Sequence, residues 1–252
     1  MLTDPAFYAV SIPAVLLLGI SKGGFGGGLV VVTVPLMSLV MSPPQAAGIL
    51  LPLLCLADLM GLWAYRGKWV WPELRALLPA SLLGIAIGTL LFGLMSTAVV
   101  KLIIGAVALT FVLNHWLSGN HPSGQLRADF PRAAGIPAGM IAGFTSFVAH
   151  SGGPPMNMYL LRRSLNRTEF VATTVMFFAV VNYVKLVPYA WLGQLATDNL
   201  VASLILAPFV PVGIKIGIIL HERMSDRLFY RFVYLLLFVV ALKLIGDGIA
   251  RN

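Results

Sequence analysis

Polar residues are so sparse along this chain that they divide it into apolar blocks. Six uninterrupted apolar stretches, at positions 44–65, 72–94, 97–117, 169–192, 200–220 and 228–249, reach the roughly 20 residues that an α-helix needs to cross a bilayer. Two further regions, 7–40 and 133–161, are broken by glycine into apolar pieces of about 8 to 15 residues, too short to cross lipid comfortably alone. The pattern predicts an all-α, polytopic integral membrane protein with six full spans and two broken helical hairpins.

The two breaks are counterparts. The first reads Gly19-Ile-Ser-Lys-Gly-Gly-Phe-Gly-Gly-Gly28 and the second Gly143-Phe-Thr-Ser-Phe-Val-Ala-His-Ser-Gly-Gly153-Pro-Pro155. A slide of about 125 residues superposes Gly27 and Gly28 on Gly152 and Gly153; a slide of 129 superposes Pro79, Gly84, Gly88, Met95 and Ser96 on Pro208, Gly213, Gly217, Met224 and Ser225. One duplication accounts for both. Basic loops then orient the halves: Arg66, Lys68 and Arg75, Arg127 and Arg132, Arg162, Arg163 and Arg167, and Arg223 and Arg227 mark one side, which the positive-inside rule makes cytoplasmic. The loops near Ser42, Ser96 and Gln194 carry no Lys or Arg. Threading the chain accordingly puts both termini on the non-cytoplasmic side and inverts the second half against the first. The expected organisation is a first transmembrane repeat at 1–117, a polar, turn-rich cytoplasmic linker at 118–131 and a second, inverted repeat at 132–252.

Composition agrees with lipid as the solvent, since 59% of the 252 residues are hydrophobic and only 10% charged. The formal charge of +8 belongs to the short loops and reports topology rather than nucleic-acid binding. Cys55 is the single cysteine, which excludes a disulfide framework or a Cys-rich metal site. Asp4 stands where a signal peptide would be basic, and no small-x-small site follows, so the first segment is expected to be retained. The glycine run matches no nucleotide-binding loop, and the chain offers no His-x3-His and no paired carboxylates. No metal, no cofactor and no enzymatic activity are expected.

The chemistry gathers at the breaks. Non-helical backbone at membrane depth must be buried in protein or face a watery cavity, because lipid leaves N–H and C=O groups unsatisfied. A short helix starting after each break would present N–H groups without partners, and such starts favour anions. The hairpins hold no Asp or Glu between residues 6 and 40 or 133 and 161, only Lys22 and His150 as titratable groups that suit an anion. A bare charge in a span costs about 2.5–3.5 kcal/mol, so Lys22 needs a partner: a substrate anion on one reading, Asp58 or a carbonyl on the other. His150 is either an anion ligand that titrates during a cycle or a neutral packed imidazole. Asp58 and Lys185 occupy nearly equivalent depths, each about seven residues or ~10 Å from the end of its span. They either pair with each other, or Asp58 carries a coupling proton while Lys185, with Asn182 and Tyr189 on one helical face, touches substrate. Gly84–Gly88 and Gly213–Gly217 are GxxxG pairs that suit close helix packing within the monomer or between copies. Oligomeric state stays open.

These residues resemble the sulfite exporter TauE/SafE family, also described as the toluene sulfonate uptake permease family. The resemblance runs through nearly the whole chain and rests on Gly19-x-Ser21-x-Gly-Gly-x-Gly-Gly-Gly28 followed by Val34-Pro35, and on Ala149-His-Ser-Gly-Gly-Pro-Pro155 followed by Tyr159-Leu-Leu. Thr173, Phe177-Phe-Ala-Val-Val-Asn182, Lys185 and Pro188-Tyr189 resemble one branch of it. Lys22 inside the first motif and Ser151 in place of a third glycine depart from its pattern. The resemblance implies movement of small sulfur-containing anions such as sulfite or sulfoacetate-like organosulfonates across the cytoplasmic membrane, often as export and with protons as a candidate coupling ion. The residues expected to bind substrate are Ser21, Lys22, Gly26, Gly27 and Gly28 from the first half, and His150, Ser151, Gly152, Gly153, Asn157, Asn182 and Lys185 from the second; Asp58 and His150 are candidates for the coupling proton. The alternatives to a permease are a membrane-embedded anion sensor and an anion channel.

Overall fold

The computed structural model describes residues 3–24, 28–92, 94–117, 131–163, 165–223 and 226–250. Among these residues every regular element is helical: α1 (Pro5–Gly24), a 3-10 stretch (Gly28–Val32), α2 (Thr33–Met37), α3 (Pro43–Ala64), α4 (Trp71–Phe92) and α5 (Thr97–Leu117). A 3-10 turn (Arg132–Ala134) leads into α6 (Gly135–Ala149), α7 (Gly153–Leu160), α8 (Arg167–Trp191), α9 (Thr197–Leu206), α10 (Phe209–Arg223) and α11 (Asp226–Ile249). Gly26, Gly27, Met224, Ser225 and all of the linker except Pro131 lie outside the described residues. Among the described residues four helices are long and apolar enough to cross a membrane, or up to five if the bent pair α9–α10 is one span.

Local chemistry sets several helix starts. Ser42 caps α3 by accepting the Gln45 N–H at 3.4 Å, with Pro43 and Pro44 in the first turn where a missing N–H is harmless. At α8 the cap is reciprocal: Asn166 accepts from the Glu169 N–H and the Glu169 carboxylate accepts from the Asn166 N–H, both at 3.0 Å.

Three expectations from the sequence are corrected. The apolar stretch 200–220 is not one straight helix, because α9 and α10 meet at a 42° bend around Ala207 and Pro208. Pro208 and Pro211 remove two backbone donors within one turn, and the chain tightens there through Val210 N–H to Ala207 O at 3.1 Å. The first hairpin does not begin with a short piece: α1 continues through Gly19, Ser21, Lys22 and Gly23 for 20 residues. The chain after that break does not start a helix able to bind an anion at its end, since it forms a five-residue 3-10 stretch and then the five-residue α2.

The helices form an inner pair and an outer shell. α3 and α8 pack against each other and are mostly buried, whereas α4 turns Leu82, Leu83, Ile87, Leu90 and Leu91 outward as apolar surface fit for lipid. Trp63, Trp71 and Trp191 are exposed at helix ends, where indole rings suit a membrane interface. Two further contacts cross between the halves, α1 with α10 and α4 with α6, and α5 packs on α11. Both crossings are glycine seams. A Cβ on Gly19 would stand 2.6 Å from the Val210 carbonyl oxygen, and one on Gly213 2.6 Å from that of Leu16. A Cβ on Gly84 would strike the Met140 carbonyl, and one on Gly143 that of Ser81. The GxxxG pairs therefore serve packing inside one chain, where only a missing side chain lets the backbones approach.

Candidate functional site: a lysine-lined cavity between two hairpin turns

Residues of both hairpins line one cavity of about 10 Å³, the room of a single water: Lys22 and Val30 from the first, Ser146, His150 and Gly153 from the second, with Leu54 from α3 and Phe178 and Asn182 from α8. The two hairpins are thus neighbours at the centre of the molecule.

Lys22 closes the last turn of α1 with its side chain only 7% exposed. Its Nζ donates to Asp58 Oδ1 at 2.5 Å and stands 5.2 Å from the Phe178 ring centroid. Asn182 Nδ2 donates to Asp58 Oδ2 at 2.6 Å, so both carboxylate oxygens are engaged. Of the partners open to Lys22 in the sequence, the Asp58 carboxylate is the one it meets. Asp58 and Lys185 do not pair. Lys185, fully buried three residues beyond Asn182, reaches instead to Ser146 O at 2.9 Å, Ser146 Oγ at 3.0 Å and His150 Nδ1 at 2.8 Å. It stands behind Ser146 and His150 rather than in the cavity lining.

His150 has φ 51 and ψ 26, the single left-handed residue other than glycine among those described. That conformation ends α6: the His150 N–H returns to Ser146 O at 3.0 Å and the Ser151 N–H to Thr145 O at 3.1 Å. A left-handed non-glycine residue carries strain that the surroundings must hold, and they do so on both ring nitrogens. Nε2 lies 3.0 Å from Ala47 O, which can only accept, so Nε2 carries the proton and Nδ1 faces Lys185 as an acceptor.

The remaining expected residues divide. Ser21 is fully buried in α1, one residue before Lys22. Gly28 opens the 3-10 stretch that leads to the lining Val30. Gly153 lines the cavity, and Gly152 packs against the Ala142 carbonyl, where a Cβ would stand 2.6 Å from the oxygen. Because Pro154 and Pro155 occupy the second and third positions of α7, Gly152 and Gly153 are the residues of its start that keep an N–H. Ser151 is turned away, its hydroxyl donating to Ala149 O at 3.1 Å, and Asn157 lies further along α7, off the lining, with a buried Oδ1 that meets no hydrogen-bond partner.

Sequence reasoning passed over Ser146, Leu54, Val30 and Phe178. Ser146 was reachable through the repeat, lying 125 positions after Ser21; Phe178 was reachable through helical spacing, on the face that carries Asn182 and Lys185. It also passed over Glu73 in the first turn of α4, which accepts from Tyr159 at 2.5 Å and from Arg163 Nε and Nη2 at 3.1 and 3.0 Å and so ties the end of α7 to α4. Beside the small cavity a wider cleft of 570 Å³, mostly apolar, runs from Lys22, Gly23 and Asp58 along α3 to Trp63 and Tyr65, with Ile214 and Ile218 of α10 on its far wall. Lys22 lines both spaces. Among the described residues no group of three or more His, Cys, Asp or Glu side chains could hold a metal ion.

Neither the curated proteins nor the solved structures contain a match to this chain. A family model described as sulfite exporter TauE/SafE matches residues 11–244, from the middle of α1 to near the end of α11 and through both hairpins, and the chain therefore belongs to that family.

Proposed function

We propose that this membrane transporter is a secondary permease that moves small sulfur-containing anions, sulfite or organosulfonates, out across the cytoplasmic membrane with protons as the coupling ion. Family membership supplies the coarser statement, a multi-pass membrane transporter of sulfite-type anions and not an enzyme. The observation that carries the finer reading is that both glycine-broken hairpins contribute to one buried cavity, with the Lys22 ammonium, the His150 ring and the Gly153 end of α7 on its walls. A sulfonate or sulfite head presents an oxygen face that ammonium and backbone N–H groups recognise. The cavity is too small for such a head as it stands, so binding requires the hairpins to separate.

Alternating access by two inverted repeats explains how. Exchanging the halves turns the α1–α10 contact into the α6–α4 contact and leaves α3–α8 and α5–α11 unchanged, as a two-fold relation requires. The glycine seams follow the same exchange. In this reading the termini lie outside, the linker inside, and the 570 Å³ cleft opens toward the cytoplasmic end of α3. The test is flux: purified protein in liposomes accumulates labelled sulfite or a sulfonate under a pH gradient and saturates with substrate. Binding without accumulation would make it a sensor, and current without saturation a channel.

A further inference from the structure

The charges around the cavity do not cancel. Lys22 and Asp58 neutralise each other at 2.5 Å, and Asn182 occupies the second carboxylate oxygen. Lys185 is left with uncharged partners only: a carbonyl, a hydroxyl and an imidazole nitrogen, which together accept the three N–H bonds of one ammonium. His150 adds no charge while Nε2 donates to Ala47 O and Nδ1 accepts from Lys185, and a proton passed from Lys185 to His150 would leave the total the same. The other titratable groups nearby are Cys55 on α3 and Tyr183 and Tyr189 on α8, the last donating to Phe147 O. Lys215 of α10 is exposed, away from the cavity. Of the remaining acids with described side chains, Glu73 is held by Tyr159 and Arg163, Asp247 by Lys101 and Lys243, Glu169 caps α8, and Asp4 and Asp198 are exposed. With Lys185 protonated, the state its three acceptors favour, two ammonium groups and one carboxylate leave one positive charge.

We propose that the cavity selects anions carrying a single negative charge, with Lys185 supplying the charge that Asp58 does not cancel. The inference rests on the permease reading above and narrows its substrate. A monoanion completes the balance without disturbing any ion pair. A dianion would leave a buried negative charge without a partner unless Lys22 deserted Asp58, which would only move the defect to that carboxylate. Hydrogensulfite and simple alkylsulfonates fit this site; the sulfite dianion, sulfate and sulfoacetate do not. Lys185 acts through the field it sets and through the Ser146 and His150 groups it holds, so it is a positioning residue for charge selection.

Methanesulfonate and methylphosphonate test this, because they are nearly the same shape but the phosphonate loses a second proton near neutral pH and the sulfonate has none to lose. In proteoliposomes holding wild-type protein, the ratio of methylphosphonate to methanesulfonate uptake should fall in step with the singly charged fraction of methylphosphonate, about tenfold for each pH unit beyond its second pKa. Using the ratio cancels any effect of pH that acts on transport of both anions alike. A wild-type ratio that stays constant across this range would overturn the charge rule and leave the permease reading standing. Entry of neither anion nor of sulfite would overturn the permease reading, and the charge rule with it.

Discussion

The two hairpin turns start from similar sequence and end in different surroundings. Ser21-Lys22 in the first aligns with Ser146-Phe147 in the second, so a lysine and a phenylalanine hold equivalent places. Lys22 meets Asp58 and borders a cleft of 570 Å³. Phe147 is packed edge-on against Phe92 at 5.7 Å and Tyr189 at 5.2 Å, and a Cβ on Gly88 would stand 2.9 Å from its ring. The end of α1 is held by an ion pair beside open space and the end of α6 by an aromatic wedge. Similar sequence thus borders the cavity from both hairpins, while Lys22 and Phe147 meet different neighbours.

The largest effects should come from removing either closure. Asp58→Ala leaves the Lys22 ammonium buried without its carboxylate and should cost about 3–5 kcal/mol of stability, read as loss of folded protein during thermal unfolding in detergent. The double change Lys22→Met with Asp58→Leu should restore most of that stability but no transport; a double variant as unstable as Asp58→Ala would mean that the pair is not the cause. Phe147→Ala should cost a similar amount, about 3–5 kcal/mol, through the cavity left between Phe92 and Tyr189, and it should add a leak of small solutes from the side opposite the cleft. A tight Phe147→Ala protein would deny the wedge its sealing role.

Smaller effects sharpen the contrast. Lys22→Ala should weaken anion binding by about 1–3 kcal/mol, measured by titration calorimetry with methanesulfonate, through loss of a charge-assisted hydrogen bond. Tyr189→Phe removes only the hydroxyl that donates to Phe147 O at 2.5 Å and should cost about 0.5–1.5 kcal/mol of stability, with anion affinity unchanged. If Tyr189→Phe weakened anion binding as much as Lys22→Ala, the two turns would not be functionally distinct.

What the sequence revealed of this arrangement follows from the range of the forces involved. Helices and breaks were legible because apolar runs and glycine act locally: α3, α4, α5, α8 and α11 lie close to the expected stretches. The bend at Pro208 was not legible because Pro79, which a slide of 129 residues aligns with it, stays inside the continuous helix α4; the two stretches differ at Pro211, where the aligned residue is Leu82. Lys22, His150, Gly153 and Asn182 were legible as cavity residues because polar groups and glycine are conspicuous in an apolar chain. Ser146 and Phe178 were not, since a serine among small residues and a phenylalanine among apolar ones carry no local signal. Asp58 was legible as one partner open to Lys22, but the choice among partners bridges 36 residues and depends on how α1 meets α3, which no local pattern encodes. Glu73 reads in sequence as an ordinary acid at a helix start, and only the approach of Tyr159 and Arg163 from 86 and 90 residues away gives it another role.

The central claim is that an anion sits between the two hairpin turns, and anomalous scattering from crystals grown with selenite, the selenium counterpart of sulfite, tests it most directly. A selenium peak is expected within hydrogen-bonding reach of Lys22 Nζ and the Gly153 N–H, with the hairpins moved apart to admit it. A peak confined to the basic loops around Arg66 and Lys68, or none between the turns at saturating selenite, would contradict it.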